Sequence, residues 1–152
     1  LINGKLDRSK AYELAEVEIR KILKQYPTIE VVIDLHRDGV PENLHLVTNV
    51  NGKQTAKIMF FNGLSRTKTN GNISYLPNPY IQDNLSFSFQ MQLQAQMMYE
   101  GFTRRIYLRG YRYSLHMMPK SLLVEAGAQT NTVQEMKNAM ELLANILYEV
   151  LL

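Results

Sequence analysis

The chain contains no cysteine in its 152 residues, which excludes both disulfide staples and a thiolate metal site. It has no run of about 18 apolar residues. Its apolar C-terminus is broken by Glu141, Asn145 and Glu149, so no membrane span is expected. Histidine occurs only at positions 36, 45 and 116. Neither sign of charge dominates: 17 Lys and Arg against 14 Asp and Glu leave a net charge of +3, which permits an anionic partner without demanding one. There is no internal repeat and no low-complexity tract. The chain begins at Leu1 and enters a helical pattern almost at once, with no signal peptide, so it is expected to be a piece of a longer protein. What is present is ordinary for a globular domain, 45% hydrophobic and 20% charged residues, and the length fits one domain with a real core.

The most informative stretch is residues 29–38, IEVVIDLHRD. Ile29, Val31, Val32, Ile33 and Leu35 form a nearly unbroken aliphatic run, the pattern of a strand buried on both faces at the centre of the molecule. His36, Arg37 and Asp38 follow where the apolar run stops. In an open α/β sheet the carboxyl ends of the strands form the rim where ligands bind. A second stretch has the same form: Leu122, Leu123 and Val124, then Glu125, then Ala126-Gly127. If these two strands are parallel, His36 and Glu125 project from one rim, and an imidazole beside a carboxylate suits metal-assisted hydrolysis. Taken one at a time, His36 is equally well a satisfied rim histidine, and Glu125 a capping or salt-bridge partner.

Taken in order, residues 8–26 carry a helical stripe of Ala15, Ile19, Ile22, Leu23 and Tyr26, opened by Ser9 and closed by Pro27. Residues 44–50 and 54–61 flank Asn51-Gly52, a strong hairpin turn signal. His45 falls in the first arm and reads as a histidine on a strand face. Residues 62–83 are rich in Gly, Asn, Ser, Thr and Pro and read as a long loop able to border a site. Residues 85–98 alternate at the strand period, yet they are long for a strand and rich in helix formers. A buried helix ending near Gly101 is expected, with its methionines as core filler. Residues 104–113, RRIYLRGYRY, interleave arginine and tyrosine as a nucleic-acid surface would. Because the charge is not sustained elsewhere, they read instead as a strand and turn whose arginines are solvated or bind carboxylates, with no nucleic-acid partner. After a strand at 121–125, Thr132 and Glu135 form a capping box. Val133, Met136, Met140, Leu143, Leu147 and Val150 are then the core stripe of a last helix.

Residues 36–43, HRDGVPEN, fit the pattern of a protein-kinase catalytic loop. The metal-binding aspartate that such a site needs has no equivalent, since Phe60 and Phe61 precede Asn62-Gly63. Only 35 residues stand before His36, too few for a nucleotide-binding lobe.

With its elements in order, the chain resembles the stage II sporulation protein P family of zinc-dependent N-acetylmuramoyl-L-alanine amidases. The resemblance is carried by VVIDLHRDG at 31–39, NLSFSFQMQLQ at 84–94, YEGFTRRIYLRGYRYS at 99–114 and SLLVEAGAQTNTVQEM at 121–136. It spans roughly residues 8–150 and implies an α/β fold with a mostly parallel open sheet flanked by helices, as in cell-wall amidases. It implies a single unit, residues 1–152, forming the C-terminal portion of an amidase catalytic domain that lacks its N-terminal elements. The implied reaction is hydrolysis of the amide between N-acetylmuramic acid and the first L-alanine of the stem peptide during sporulation. By position, the resemblance makes His36 a zinc ligand and Glu125 the acid–base carboxylate, with Arg37 and Asp38 orienting the ligand or meeting substrate carboxylates. Zinc would lower the pKa of bound water to about 7 and polarise the scissile carbonyl. The family's further zinc ligands lie upstream, and no histidine precedes residue 36, so the chain by itself is expected to bind zinc poorly and to be inactive. Implied partners are peptidoglycan and a second cell-wall enzyme, stage II sporulation protein D. The implied location is extracytoplasmic, at the cell envelope or sporulation septum. The alternative is a non-catalytic relative that binds peptidoglycan without a complete zinc site.

Overall fold

A computed structural model describes residues 10–152. Ser9, expected to cap the first helix, lies outside the described residues. The elements run α1 (Ala11–Gln25), β1 (Val32–Asp38), β2 (Val47–Val50), β3 (Lys53–Ala56), β4 (Ile58–Gly63), β5 (Arg66–Thr67), β6 (Gly71–Asn72), α2 (Ile81–Met98), β7 (Tyr107–Arg109), β8 (Ser121–Ala128) and α3 (Val133–Leu151). The main sheet has the order β1-β8-β4-β7. β1 runs parallel to β8 and β7 parallel to β4, while β4 and β8 are antiparallel. Two of the three pairings are parallel, and helices flank the sheet.

Strand alternation divides the side chains between two faces. Ile58 and Phe60 of β4 and Leu122, Val124 and Ala126 of β8 point to one face, where Phe87, Met91 and Ala95 of α2 and Ala139, Leu143 and Ile146 of α3 cover them. Burying each of the large side chains contributes about 1.5–3 kcal/mol relative to exposure, so this layer is the main core. Met59, Phe61 and Leu123 point to the other face and pack with Leu115, and Tyr113 lies against them. Asn84 locks the two ends of this arrangement. Its amide donates to the Leu115 carbonyl at 2.6 Å and accepts from the Ser121 N–H at 2.9 Å.

β1 is not a doubly buried central strand: it is the edge of the sheet, with Ile33 39% and Leu35 52% exposed. The strand buried along its whole length is β4. The expected second hairpin arm splits at Lys57: β3 pairs with β2 around Asn51 (φ 51°) and Gly52 (φ 80°), while β4 joins the main sheet. His45 sits ahead of β2, not within it, and bonds Glu135 at 2.8 Å. The 62–83 loop contains the short hairpin β5–β6. The α1 stripe reaches no deep core: none of that helix's residues is fully buried. α2 is a helix despite the alternating pattern of its sequence, and α3 carries the expected Thr132–Glu135 capping box.

Candidate active site

The register of β1 on β8 sets His36 directly opposite Glu125, and the register of β8 on β4 sets Glu125 opposite Met59. Paired positions on adjacent strands share a face, and neighbouring strands lie about 4.8 Å apart. His36, Glu125 and Met59 therefore form one row across the sheet. Asp34, Leu123 and Phe61 form the next row on the same face. Between His36 and Asp38 the register slips, so Asp38 pairs with Ala128. Such a bulge re-aims side chains at the end of a strand.

Asp34 organises the histidine. Its Oδ1 lies 2.6 Å from His36 Nε2, and its Oδ2 accepts from the buried Ser114 hydroxyl at 2.6 Å. A carboxylate only accepts, so in the neutral ring Nε2 of His36 carries the proton and Nδ1 the free lone pair. The Tyr12 ring lies nearly parallel to the imidazole, with centroids 6.2 Å apart and planes 14° apart, and meets Tyr113 edge-on at 5.3 Å. Burial pushes the Tyr12 hydroxyl far above its ordinary range, and Asp34, Tyr113 and Glu125 add to the effect. Tyr12 thus stays a neutral phenol.

Glu125 is half-buried, and its Oε2 is enclosed with no hydrogen-bond partner among the described residues. Burial pushes its carboxyl above the usual range. His36 and Arg104 pull it back while Asp38 and Asp34 push it further up, and the net shift is upward. It faces a cleft of about 450 Å³ bordered by Tyr12, Asp38, Arg104, Arg109 and Tyr113. His36 borders a smaller cavity of about 240 Å³, also lined by Tyr12, Asp34 and Ser114. Tyr12 stands at the border between the two spaces.

Asp38 lines the larger cleft, where it accepts from Arg104 Nη1 at 2.7 Å and from the Gly39 N–H at 2.8 Å. Arg37 is exposed and does not line that cleft, and its side chain makes no ion pair with another described residue. Sequence reasoning missed Asp34, Ser114, Tyr12 and the link from Asp38 to Arg104. Asp34 had a signal: two positions before His36 in a strand is the same face. Ser114 and Tyr12 had none, since they arrive from 80 and 24 residues away in the chain.

A catalytic zinc takes about three protein ligands. His36 Nδ1 is a competent ligand atom, but no three His, Asp or Glu among the described residues form a group able to hold a metal ion. The described residues alone therefore do not fit a catalytic zinc.

The chain is a mixed α/β protein with a mostly parallel sheet flanked by helices, similar in fold to an amidase of known structure. A similar solved structure is the apo form of the N-acetylmuramyl-L-alanine amidase Ami1 from Mycobacterium abscessus, with a TM-score of 0.52 and 14% identity over 90% of this chain. The chain spans 61% of that protein's length. The family model for stage II sporulation protein P (SpoIIP) matches residues 2–148, and the chain belongs to that family. No curated protein matches it significantly.

Proposed function

We propose that this chain is the acid–base half of a peptidoglycan amidase acting outside the cytoplasm during sporulation. The scissile bond would be the amide between the lactyl group of N-acetylmuramic acid and the first L-alanine of the stem peptide. The observation that carries this reading is Glu125: an enclosed carboxyl oxygen with no partner among the described residues and an upward-shifted pKa, lining a cleft one strand from His36. Membership of the sporulation protein P family and the amidase neighbour's fold support the same reading.

In this account Glu125 takes a proton from the attacking water and returns it to the leaving amine. A carboxyl held in a less polar setting is better matched to that exchange near neutral pH than a solvated one. Arg104, fixed by Asp38, faces the same cleft and offers a cation to a developing oxyanion or a substrate carboxylate. His36, oriented by Asp34, is proposed as one zinc ligand, the hydrogen-bonded carboxylate fixing which ring nitrogen is free. The remaining ligands would come from outside residues 10–152.

The reaction is tested by incubating the natural full-length protein with purified cell wall and analysing the products by mass spectrometry. Free stem peptides with N-terminal alanine, together with peptide-free glycan, are the expected products. Cleavage within the peptide or the glycan would overturn the assignment. The incomplete ligand set also supports a non-catalytic peptidoglycan-binding reading. Stoichiometric zinc in the full-length protein would eliminate it, and absence of both zinc and release would favour it.

A further inference from the structure

The arginine–tyrosine segment 104–113 is only partly explained by the cleft. Two of its arginines are spent internally: Arg104 on Asp38, and Arg112 on Glu16 and on the Pro77 carbonyl. Arg109, Gly110, Tyr111 and Tyr113 form one wall of a cavity of about 790 Å³, within the range of about 300–1,000 Å³ of small-molecule sites. The opposite wall is the β5–β6 hairpin and the residues after it. Asn70, Asn72, Tyr75, Arg109, Tyr111 and Tyr113 face this space. Arg109 and Tyr113 also border the Glu125 cleft, so the two spaces adjoin.

Backbone bonds tie the two walls together and fix the hairpin. The N–H groups of Leu64 and Arg66 donate to the carbonyls of Arg109 and Gly110, at 2.8 and 3.1 Å. The Ile73 N–H donates to Ser65 at 2.7 Å, and the Thr67 hydroxyl accepts from the Asn70 N–H at 3.0 Å. A Cβ at Gly110 would come within 3.2 Å of the Arg66 carbonyl oxygen, which shows how closely the two walls approach. A preformed groove saves the ordering cost of binding. Within it, Tyr75 is 74% and Tyr111 63% exposed, large rings that no part of the described chain covers.

We infer that this groove is a saccharide subsite holding the glycan strand next to the Glu125 cleft. The inference rests on the amidase reading for its substrate class. A pyranose ring has two C–H-rich faces that lie against the electron-rich face of an aromatic ring. Its equatorial hydroxyls and N-acetyl groups both donate and accept, which side-chain amides such as Asn70 and Asn72 match on both counts. A single-stranded nucleic acid needs a continuous cationic track beside its stacking rings, and the groove presents one guanidinium, Arg109. A stem peptide, bearing free carboxylates, calls for more cations than that.

The test is a binding titration of the natural full-length protein with tetra-N-acetyl-chitotetraose, followed by tyrosine fluorescence and by heteronuclear NMR. Saturable binding is expected, weakened about tenfold by Tyr75→Ala and by Tyr111→Ala and unchanged by Tyr148→Ala, an exposed tyrosine on α3. No saturable binding, or equal affinity in all variants, overturns the inference. So does uptake of free stem peptide or of polyuridylate RNA in place of the saccharide. Because the probe has no cleavable stem amide, this result is independent of hydrolysis. Stem-peptide release by the full-length protein without oligosaccharide binding overturns the groove alone. Oligosaccharide binding without release supports the groove and removes the amidase reading.

Discussion

At Gly127 a single missing carbon decides whether β8 can end as it does. The residue has φ +59°, and an added Cβ would lie 2.7 Å from Asn131 Oδ1, 2.8 Å from Met136 Sδ and 2.9 Å from Ala56 Cβ. Asn131 Oδ1 already accepts the Ala128 N–H at 2.8 Å, so it cannot move away without breaking that bond. Gly127→Ala is expected to cost about 2–4 kcal/mol, combining left-handed backbone strain with overpacking. Urea unfolding measures this, and a loss below about 0.5 kcal/mol would show that the turn relaxes freely. Two residues earlier, Glu125 was legible as the first polar position after an aliphatic run, as was His36. Sequence cannot show that Glu125 Oε2 lacks a partner among the described residues, because that depends on what every other described element fails to bring there.

Among the elements, α3 and its cap show how a short motif becomes a tertiary anchor. Thr132 and Glu135 form the expected capping box, but Glu135 Oε2 also takes hydrogen bonds from Asn131 at 3.0 Å and from His45 at 2.8 Å. Burial alone would raise this carboxyl; the bonds from His45, Asn131 and the Thr132 N–H outweigh it and hold it below its ordinary value of 4.5. A depressed folded-state pKa contributes stability that is complete above the unfolded value and disappears as pH falls through the folded one. Unfolding free energy measured from about pH 7 to about pH 3 should therefore fall below roughly pH 4.5. Glu135→Gln should flatten that acid limb and cost about 1 kcal/mol at neutral pH. An unchanged acid limb would show that the Glu135 network does not produce it.

Asn84 makes the equivalent link for α2. Truncation to alanine leaves the Ser121 N–H and the Leu115 carbonyl buried and unpaired, for an expected loss of about 2–4 kcal/mol. Thermal unfolding of Asn84→Ala reads it directly, and an unchanged melting temperature would mean that water replaces the amide. The element types were legible where one local rule dominated, Asn51-Gly52 for the hairpin and the capping box for α3, while for α2 length and helix formers had to outweigh a strand-period alternation. What was not legible was position in the sheet. The aliphatic run of β1 resembles a central strand, yet its place at the edge is decided by partners elsewhere in the chain. Likewise 54–61 has one continuous strand pattern, and only the competing edges of β2 and β8 divide it at Lys57.

For the whole molecule, the sheet order β1-β8-β4-β7 is what turns sequence positions 89 residues apart into neighbours. The parallel pairing of β1 and β8 places His36 beside Glu125; an antiparallel pairing would have sent their strand ends to opposite rims. α1 then lays Tyr12 over that row, and Glu16 ties the helix to Arg112 at 3.4 Å and to His116 at 3.0 Å. The direct measurement is the rate of stem-peptide release from purified cell wall by the full-length protein carrying Glu125→Gln, with folding confirmed by its melting curve. Glu125→Gln is expected to lower that rate about 10²–10⁴-fold in a protein that melts no lower than the parent. Release at the parental rate would contradict it.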